Sequence, residues 1–465
     1  MGAPVALSAA VMASAMGGQV VAGSPAVVPT GFSIDSRALA PGQAFFAIVA
    51  ARDGHAFVGP AVRNGAAVVV ASEAIDPAVA GAVTLVRVPD TTRALQDLAR
   101  SVRRQSGARV VAITGSAGKT TTKEAVAALL GGSFSVVRNP GNLNNHLGLP
   151  LSLLELRHGA DVGVMELGMN HAGEIRVLVG IAEPEVRVWT NVGDAHIGHF
   201  GSGDAIAAAK AEILEGAGPD DCCVANADDA RVMRHAAGFA GRVLTFGFGD
   251  GADIRAIDVE DRGLQGTGAT IVAAGQRAAV RVPLVGRGNL ANVLAAVAVG
   301  THFGVALETM AARAAGLTPA KRRGEVRPLA GGVTVIDDSY NSSPAALARS
   351  LETLAATPAT RRVAVLGEML ELGDLALPLH EQCGRAAAAS GVALLVTIGG
   401  APARALAEAA VAAGMAGAAV CHVETSDEAA ALVDARLAPG DVVLVKGSRG
   451  VRTDVVVDHL AAVRG

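Results

Sequence analysis

Lys119 and Thr120 follow directly on the glycine turn Gly115-Ser116-Ala117-Gly118, and no other residues in the chain speak so directly of chemistry. The two glycines let backbone N–H groups wrap an anion at the mouth of a helix that begins near Thr120. Lys119 can then reach the outer phosphates of a nucleotide, and Thr120 can offer its hydroxyl to Mg2+. The run Val110 to Ile113 ahead of the turn reads as a buried strand. Position 113 is Ile where the general G-x-x-x-x-G-K-[ST] pattern has glycine, so an ordinary strand–turn–helix competes with the phosphate cradle.

Further candidates stand at other strand ends. Glu166 can supply a hard oxygen to a nucleotide-bound Mg2+, or it can be a surface carboxylate beside a helix N-terminus. His196 lies in a glycine-rich loop near His199; magnesium rarely takes imidazole, so a structural reading competes. Asn142, Asn144 and Asn145, with His146, offer paired donors and acceptors to a polar substrate, although asparagine also populates turns because it tolerates the left-handed region. Asp337 and Asp338 crowd one strand end and call for an external partner such as a sugar hydroxyl, cation or arginine. Ser343 before Pro344 reads as a helix N-cap. Lys210, taken by itself, reads as an exposed lysine on an alanine-rich helix.

The elements that must position these residues form an α/β pattern in three domains. A small mixed α/β N-terminal domain covers 1–106, with strands around 45–49, 68–71 and 83–88 and a closing helix over 92–105. A central P-loop parallel-sheet domain covers 107–319, with strands at 110–114, 162–167, 186–190 and 243–246. A C-terminal Rossmann-like domain covers 320–465, with strands at 333–337, 363–367, 394–399 and 442–446. Ligands in open α/β sheets sit beyond the carboxyl ends of the strands, where these polar residues cluster.

Composition narrows the function classes. The chain has 465 residues, 51% of them hydrophobic, and a mean hydropathy of +0.41. Its opening run lacks a basic segment and is broken by Gly17-Gly18, Pro25 and Pro29, which argues against a signal peptide or membrane anchor. Ser8 instead reads as the cap of a short helix ending at Gly17-Gly18. Four cysteines (Cys222, Cys223, Cys383, Cys421) show neither disulfide density nor zinc-type spacing, favouring a reducing cytoplasm and core roles. The net charge of −4, with only small basic clusters at 321–323 and 361–362, offers no nucleic-acid footprint.

In their order, the motifs resemble the Mur ligases of peptidoglycan synthesis over the whole chain. The loop Thr114 to Thr121 is similar to that family's own short ATP loop, which accounts for the mismatch with the longer pattern. Asn142-Leu143-Asn144-Asn145, Asp337-Asp338-Ser339-Tyr340-Asn341, Gly367-Glu368-Met369-Leu370-Glu371-Leu372-Gly373 and Lys446-Gly447-Ser448-Arg449 look like the members that add a dipeptide. The sister that adds the third residue more typically has Asp-Tyr-Ala-His where this chain has Asp338-Ser339-Tyr340-Asn341.

The resemblance implies an ATP-dependent amide ligase, a cytoplasmic monomer, that joins D-alanyl-D-alanine to UDP-muramoyl-tripeptide through an acyl phosphate. It implies that Gly115, Ser116, Ala117, Gly118, Lys119, Thr120 and Thr121 bind ATP, with Lys119 on the transferred phosphate. Thr120 and Glu166 would hold one Mg2+, and His196 with Lys210 a second; the Ala-Ala-Lys-Ala-Glu-Ile context of Lys210 matches a lysine that several members carry as a carbamate. By the same likeness Asn289 and Asn292 sit at the adenine, Asp338 at the ribose and Arg323 at the phosphates. Ser36 and Arg37 contact UDP; Asn142, Asn144 and Asn145, with Asn341, Ser448 and Arg449, contact substrate, the last three at the dipeptide. Gly288, Arg322 and Ala50 depart from the family pattern, where histidine, glycine and glycine are usual. A sister ligase, a P-loop kinase or regulatory NTPase, and an inactive binding protein are the rival readings.

Overall fold

The computed structural model describes residues 2–194 and 197–465, and its strands gather into three sheets. Short β-branched and aromatic runs make the first: β1 (Gln19–Ala22), β2 (Phe32–Ser33), β3 (Ala44–Phe46), β4 (Val68–Ala71) and β5 (Thr84–Arg87), in the order β1-β5-β4-β3-β2. β1 pairs antiparallel and the others parallel. The expected N-terminal helix is present over Ala9–Ala15, with the Ser8 hydroxyl accepting from the Val11 N–H.

The central sheet comprises β6 (Arg109–Thr114), β7 (Val136–Arg138), β8 (Val162–Glu166), β9 (Val186–Trp189), β10 (Cys222–Asn226), β11 (Arg242–Gly247), β12 (Ile254–Asp261), β13 (Thr267–Ala273) and β14 (Gln276–Val282). Their order is β14-β13-β12-β11-β10-β9-β6-β8-β7. β6 lies between β8 and β9, which it pairs in parallel, so the chain crosses from one side of β6 to the other and leaves a crevice beyond its carboxyl end. The β12–β14 meander is antiparallel. The third sheet holds β15 (Glu325–Leu329), β16 (Val333–Asp338), β17 (Arg361–Gly367), β18 (Leu394–Ile398), β19 (Val420–Val423) and β20 (Asp441–Lys446), ordered β15-β16-β20-β17-β18-β19 with β15 antiparallel. No described helix is long and apolar enough to cross a membrane.

The cores are distributed unevenly. One continuous apolar cluster joins Phe46, Val70 and Val86 of the first sheet to Leu95, Leu98 and Val102 of the helix Thr91–Ser106 and on to Val110, Ala112 and Leu149 of the central unit. The third sheet has clusters of its own on its two faces.

The same helix is clamped to the central unit by polar contacts. Arg103, nearly buried, donates from Nε to the Ala182 carbonyl at 2.9 Å, from Nη1 to the Ala108 carbonyl at 3.1 Å and from Nη2 to the Glu183 carbonyl at 2.7 Å, and it also bonds Glu185. Its removal strands several buried acceptors. We expect Arg103→Met to lower stability by about 3 kcal/mol, read as a reduced urea midpoint. The Arg104 hydrogen bond, helped by Arg100, holds the Glu183 carboxyl below its ordinary range. The stability this clamp contributes is therefore full above the unfolded carboxylate pKa and is lost as pH falls through the lower folded value.

Candidate functional site

The carboxyl ends of the central sheet and of the third sheet face one another across a cavity of about 1650 Å3. On the central side the phosphate-loop candidates are held in place from β9 and the segment after it. Trp189, the only tryptophan, is fully buried at the end of β9 opposite Thr114, its ring 5.7 Å from that of His235. Thr190 Oγ1 donates to the Ala117 carbonyl at 2.7 Å, and Asn191 brackets Ala117, accepting from its N–H at 2.9 Å and donating to its carbonyl at 3.0 Å. The Ser116 N–H and hydroxyl bond the Asn191 and Gly193 carbonyls. The N–H groups of Ser116 and Ala117 are thus spent within the loop, leaving those of the first helical turn for an anion.

The loop's glycines answer to close neighbours. Gly118 has φ +83° and a Cβ there would stand 2.2 Å from Asn292 Oδ1; at Gly115 it would stand 1.9 Å from Thr190 Oγ1. Lys119, on the helix Lys119–Leu130, folds its amine back onto the Gly115 carbonyl at 2.7 Å. Burial pushes the Lys119 pKa down, opposed by nearby Glu166 and reinforced by Arg323. Thr120 Oγ1 donates to Glu166 Oε2 at 2.7 Å, and Asn144 Nδ2 donates to Glu166 Oε1 at 2.8 Å. Glu166 is only 3% exposed, which removes the reading of it as a surface carboxylate. A hydroxyl and a carboxylate so paired are the hard-oxygen donors a magnesium ion takes, so these residues fit that ion.

Lys210 corrects an expectation. It is 2% exposed, not a solvated residue, because the helix Gly203–Ala211 turns it inward with Ile206 and Ala207. Burial drives its pKa well below the ordinary value and neighbouring Lys119 pushes it further; among the described residues no carboxylate pairs with it. His196 lies outside the described residues.

On the opposite wall, Arg323 stacks over Tyr340 at 4.1 Å, and Arg449 lies 5.5 Å from the same ring with Nη1 donating to the Tyr340 hydroxyl at 3.2 Å. Arg322 turns away to Asp454 and Asp458, so Arg323 is the cavity-lining member of the pair. The aspartates meet cationic partners from elsewhere in the chain, an arginine at Asp337 and a lysine at Asp338. Lys446 Nζ donates to Asp338 Oδ2 at 2.6 Å, with Ser350 as a second donor, while Asp337 is met by Ser339 and by Arg327 at 3.3 Å. Ser343 precedes the helix Pro344–Ala356 but its hydroxyl makes no capping bond. Ser448 accepts from the Leu370 N–H at 2.9 Å, and Asn341 accepts through its main-chain carbonyl from Lys446.

Asn289 and Asn292, on the helix Arg287–His302, also line the cavity, as do Asn142, Asn144, Asn145 and Asn341. The space beside Gly288 is taken by Arg349, whose Cδ would lie 3.4 Å from a Cβ there. Ser36 and Arg37 do not join this group. They belong to the first unit, where Ser36 is largely buried and Arg37 is exposed and paired with Asp35 at 2.7 Å. Sequence reasoning missed Thr190 and Asn191 as the loop's supports and Lys446 as the partner of Asp338; the polar strand-end position of each was the available signal.

Among the described residues one backbone hydrogen bond joins the two walls. The Gly198 N–H donates to the Glu371 carbonyl at 3.0 Å, and a Cβ at 198 would stand 2.5 Å from the Gly373 nitrogen. We expect Gly198→Ala to separate the walls slightly and lower kcat roughly tenfold without weakening binding at the first unit, as steady-state kinetics will show.

Comparisons with known proteins agree with this architecture. The family model "Mur ligase middle domain" matches residues 113–300, and "Mur ligase, glutamate ligase domain" matches 322–449. The chain is 34% identical to UDP-N-acetylmuramoyl-tripeptide–D-alanyl-D-alanine ligase of Bacillus subtilis, with 92% of this chain and 93% of that one covered. It is 37% identical to the protein of that name from Mycobacterium tuberculosis, with 92% and 91% covered. Among solved structures, MurF from Acinetobacter baumannii superposes with a TM-score of 0.88 at 31% identity over 99% of both chains. MurF from Thermotoga maritima in complex with ADP superposes with a TM-score of 0.81 at 30% identity, covering 93% of this chain and 97% of that one. With two family domains in register with the central and third sheets, and relatives alike over nine-tenths of its length, the chain belongs to the Mur ligase family.

Proposed function

We propose that this chain is an ATP-dependent ligase that joins D-alanyl-D-alanine to UDP-N-acetylmuramoyl-tripeptide in peptidoglycan precursor synthesis. The observation that carries the reading is the single cavity into which the glycine loop with Lys119 projects from one sheet and Arg323, Asn341 and Arg449 from another. An NTPase that only hydrolyses its nucleotide needs no such second wall.

The terminal carboxylate of the tripeptide attacks the γ-phosphorus of ATP, forming a P–O bond as the bond to ADP breaks. Lys119 leaves the Gly115 carbonyl and neutralises the transferring oxygens, joined by Arg323 from the far wall. The free amine of the dipeptide then attacks the acyl carbon; a C–N bond forms, the nitrogen gives up a proton, and the C–O bond to the phosphoryl group breaks, so inorganic phosphate departs with one former carboxylate oxygen. Thr120 and Glu166 would hold one magnesium ion, and His196 with a carbamylated Lys210 a second; bound there, the ions would supply electrostatic stabilisation to the phosphates. Asn289 and Asn292 hold the adenine and Asp338 the ribose. Asn142, Asn144 and Asn145 orient the peptide arm, Asn341, Ser448 and Arg449 fix the dipeptide, and Ser36 and Arg37 anchor UDP. Contact between the walls excludes water that would hydrolyse the acyl phosphate.

In this reading residues 1–106 bind UDP, 107–319 ATP and 320–465 the dipeptide, and the protein works as a cytoplasmic monomer. The test is phosphate release from ATP and Mg2+ with UDP-muramoyl-tripeptide, with and without D-alanyl-D-alanine, followed by mass analysis of the nucleotide product. Dipeptide-dependent release with a pentapeptide product is expected; turnover with a single amino acid instead points to a sister ligase, and release indifferent to the dipeptide to an NTPase.

A further inference from the structure

Lys123 has no place in the mechanism above, yet its side chain is completely buried one helical turn beyond Lys119. Its Nζ donates to the main-chain carbonyl of Asn139 at 2.6 Å and lies 3.2 Å from Glu124 Oε1. A buried polar head on a long stem is an expensive way to fill a core, because methionine or leucine would occupy the same space without desolvating an amine.

Asn139 explains what the amine secures. β7 pairs in parallel with β8 as far as Arg138 opposite Val164, and beyond it Pro140 takes the main chain out of the sheet. The fully buried Asn139 side chain continues the ladder in its place: Nδ2 donates to the Glu166 carbonyl at 3.1 Å and Oδ1 accepts from the Glu166 N–H at 2.9 Å. Those are the two bonds a neighbouring strand would make to one residue. Nδ2 also donates to the Leu143 carbonyl at 2.9 Å, one residue before Asn144, which bonds the Glu166 carboxylate.

The contacts close a ring. Thr120 bonds the Glu166 carboxylate, the Glu166 main chain is held by the Asn139 side chain, the Asn139 carbonyl is held by Lys123, and Lys123 lies three residues after Thr120 on one helix. A second bond between that helix and the end of β7, Glu124 to Arg138 at 2.6 Å, braces the ring from outside. The distance between the Thr120 hydroxyl and the Glu166 carboxylate is thereby set from both ends, by the helix and by the sheet.

We propose that Lys123 and Asn139 are positioning residues that fix the Glu166 carboxylate against Thr120 for the magnesium-bound nucleotide, an inference that rests on the reading of Glu166 as a magnesium ligand. Neither residue touches the nucleotide; each acts through Glu166.

The test compares ADP binding by calorimetry in excess Mg2+ and in a chelator, for the full-length wild type, Lys123→Met, Asn139→Ala and Glu166→Gln. Magnesium should tighten ADP binding in the wild type. In Lys123→Met and Asn139→Ala that tightening should shrink by about tenfold while affinity for metal-free ADP stays within about twofold. A purely structural role would leave the ratio of the two affinities at its wild-type value, and that result overturns the proposal. Lys123→Met keeps the volume of the stem and decides the matter by itself should Asn139→Ala not fold. If Glu166→Gln also leaves the magnesium effect intact, the assignment of Glu166 fails; if it abolishes the effect and Lys123→Met does not change it, only the positioning role fails.

Discussion

Lys119→Ala should lower the rate of phosphoryl transfer by about a thousandfold, or roughly 4 kcal/mol of transition-state stabilisation, with a smaller loss in nucleotide affinity. The size of the effect follows from where the amine sits. Lys119 is half-buried among Glu166, Arg323 and the Gly115 carbonyl, so its charge would act on the γ-phosphoryl oxygens in a setting less screened than open solvent. Lys119→Arg should not restore the rate, because a planar fork cannot replace a compact point charge inside a loop whose neighbours already approach within van der Waals distance. Single-turnover phosphate release, with circular dichroism to confirm folding, measures both. Full ligation by Lys119→Ala would remove the loop from the mechanism.

Lys210→Met should cost at least about a hundredfold in kcat while leaving the melting temperature equal to or above that of the wild type. The stability expectation comes from the absence of any carboxylate partner among the described residues: exchanging an unpaired buried amine for an apolar stem of similar length is neutral or favourable. Burial, with Lys119 adding to it, holds the Lys210 pKa far below that of an exposed lysine. The neutral amine is therefore available at lower pH than for an exposed lysine, and it can add to carbon dioxide, forming an N–C bond and releasing one proton. The product is an anionic oxygen donor suited to magnesium. Wild-type activity should fall on bicarbonate depletion and return on its addition, and 13C-bicarbonate should give a carbamate resonance that Lys210→Met lacks. Unchanged activity in the variant, without that resonance, would remove the carbamate.

The strands that carry the site were legible because they are fully buried β-branched runs, as at Val110–Ile113, Val162–Val164 and Val442–Val445. The β12–β14 meander was not, since β12 and β14 are only partly buried and carry charges such as Glu260 and Arg281 that interrupt an apolar run. β15 was hidden by Pro328, and β1 by the glycines around it. The glycine turn between strand and helix could be read locally because its shape is set by residues adjacent in sequence. Lys210 could not: nothing in an alanine-rich stretch says which face of its helix will be covered. Asp338 seemed to want an outside partner because Lys446, which satisfies it, lies 108 residues further on. Asn139, Lys123 and the bracing role of the strand-end Asn191 went unnoticed for the same reason, since each draws its meaning from a contact between separate strands or between helix and strand.

The burial of Trp189 has an optical consequence. With one tryptophan and one tyrosine in the chain, excitation at the red edge of absorption selects a single indole, and that indole sits at the end of β9 against the strand that launches the phosphate loop. Its Nε1 has no hydrogen-bond partner among the described residues, so its emission should be blue-shifted and responsive to the local field. The loop thus carries its own chromophore, while the only phenol stands on the opposite wall between two guanidinium groups. Arrival of a nucleotide at one wall and of an anionic peptide at the other should be separable by colour in the unmodified protein.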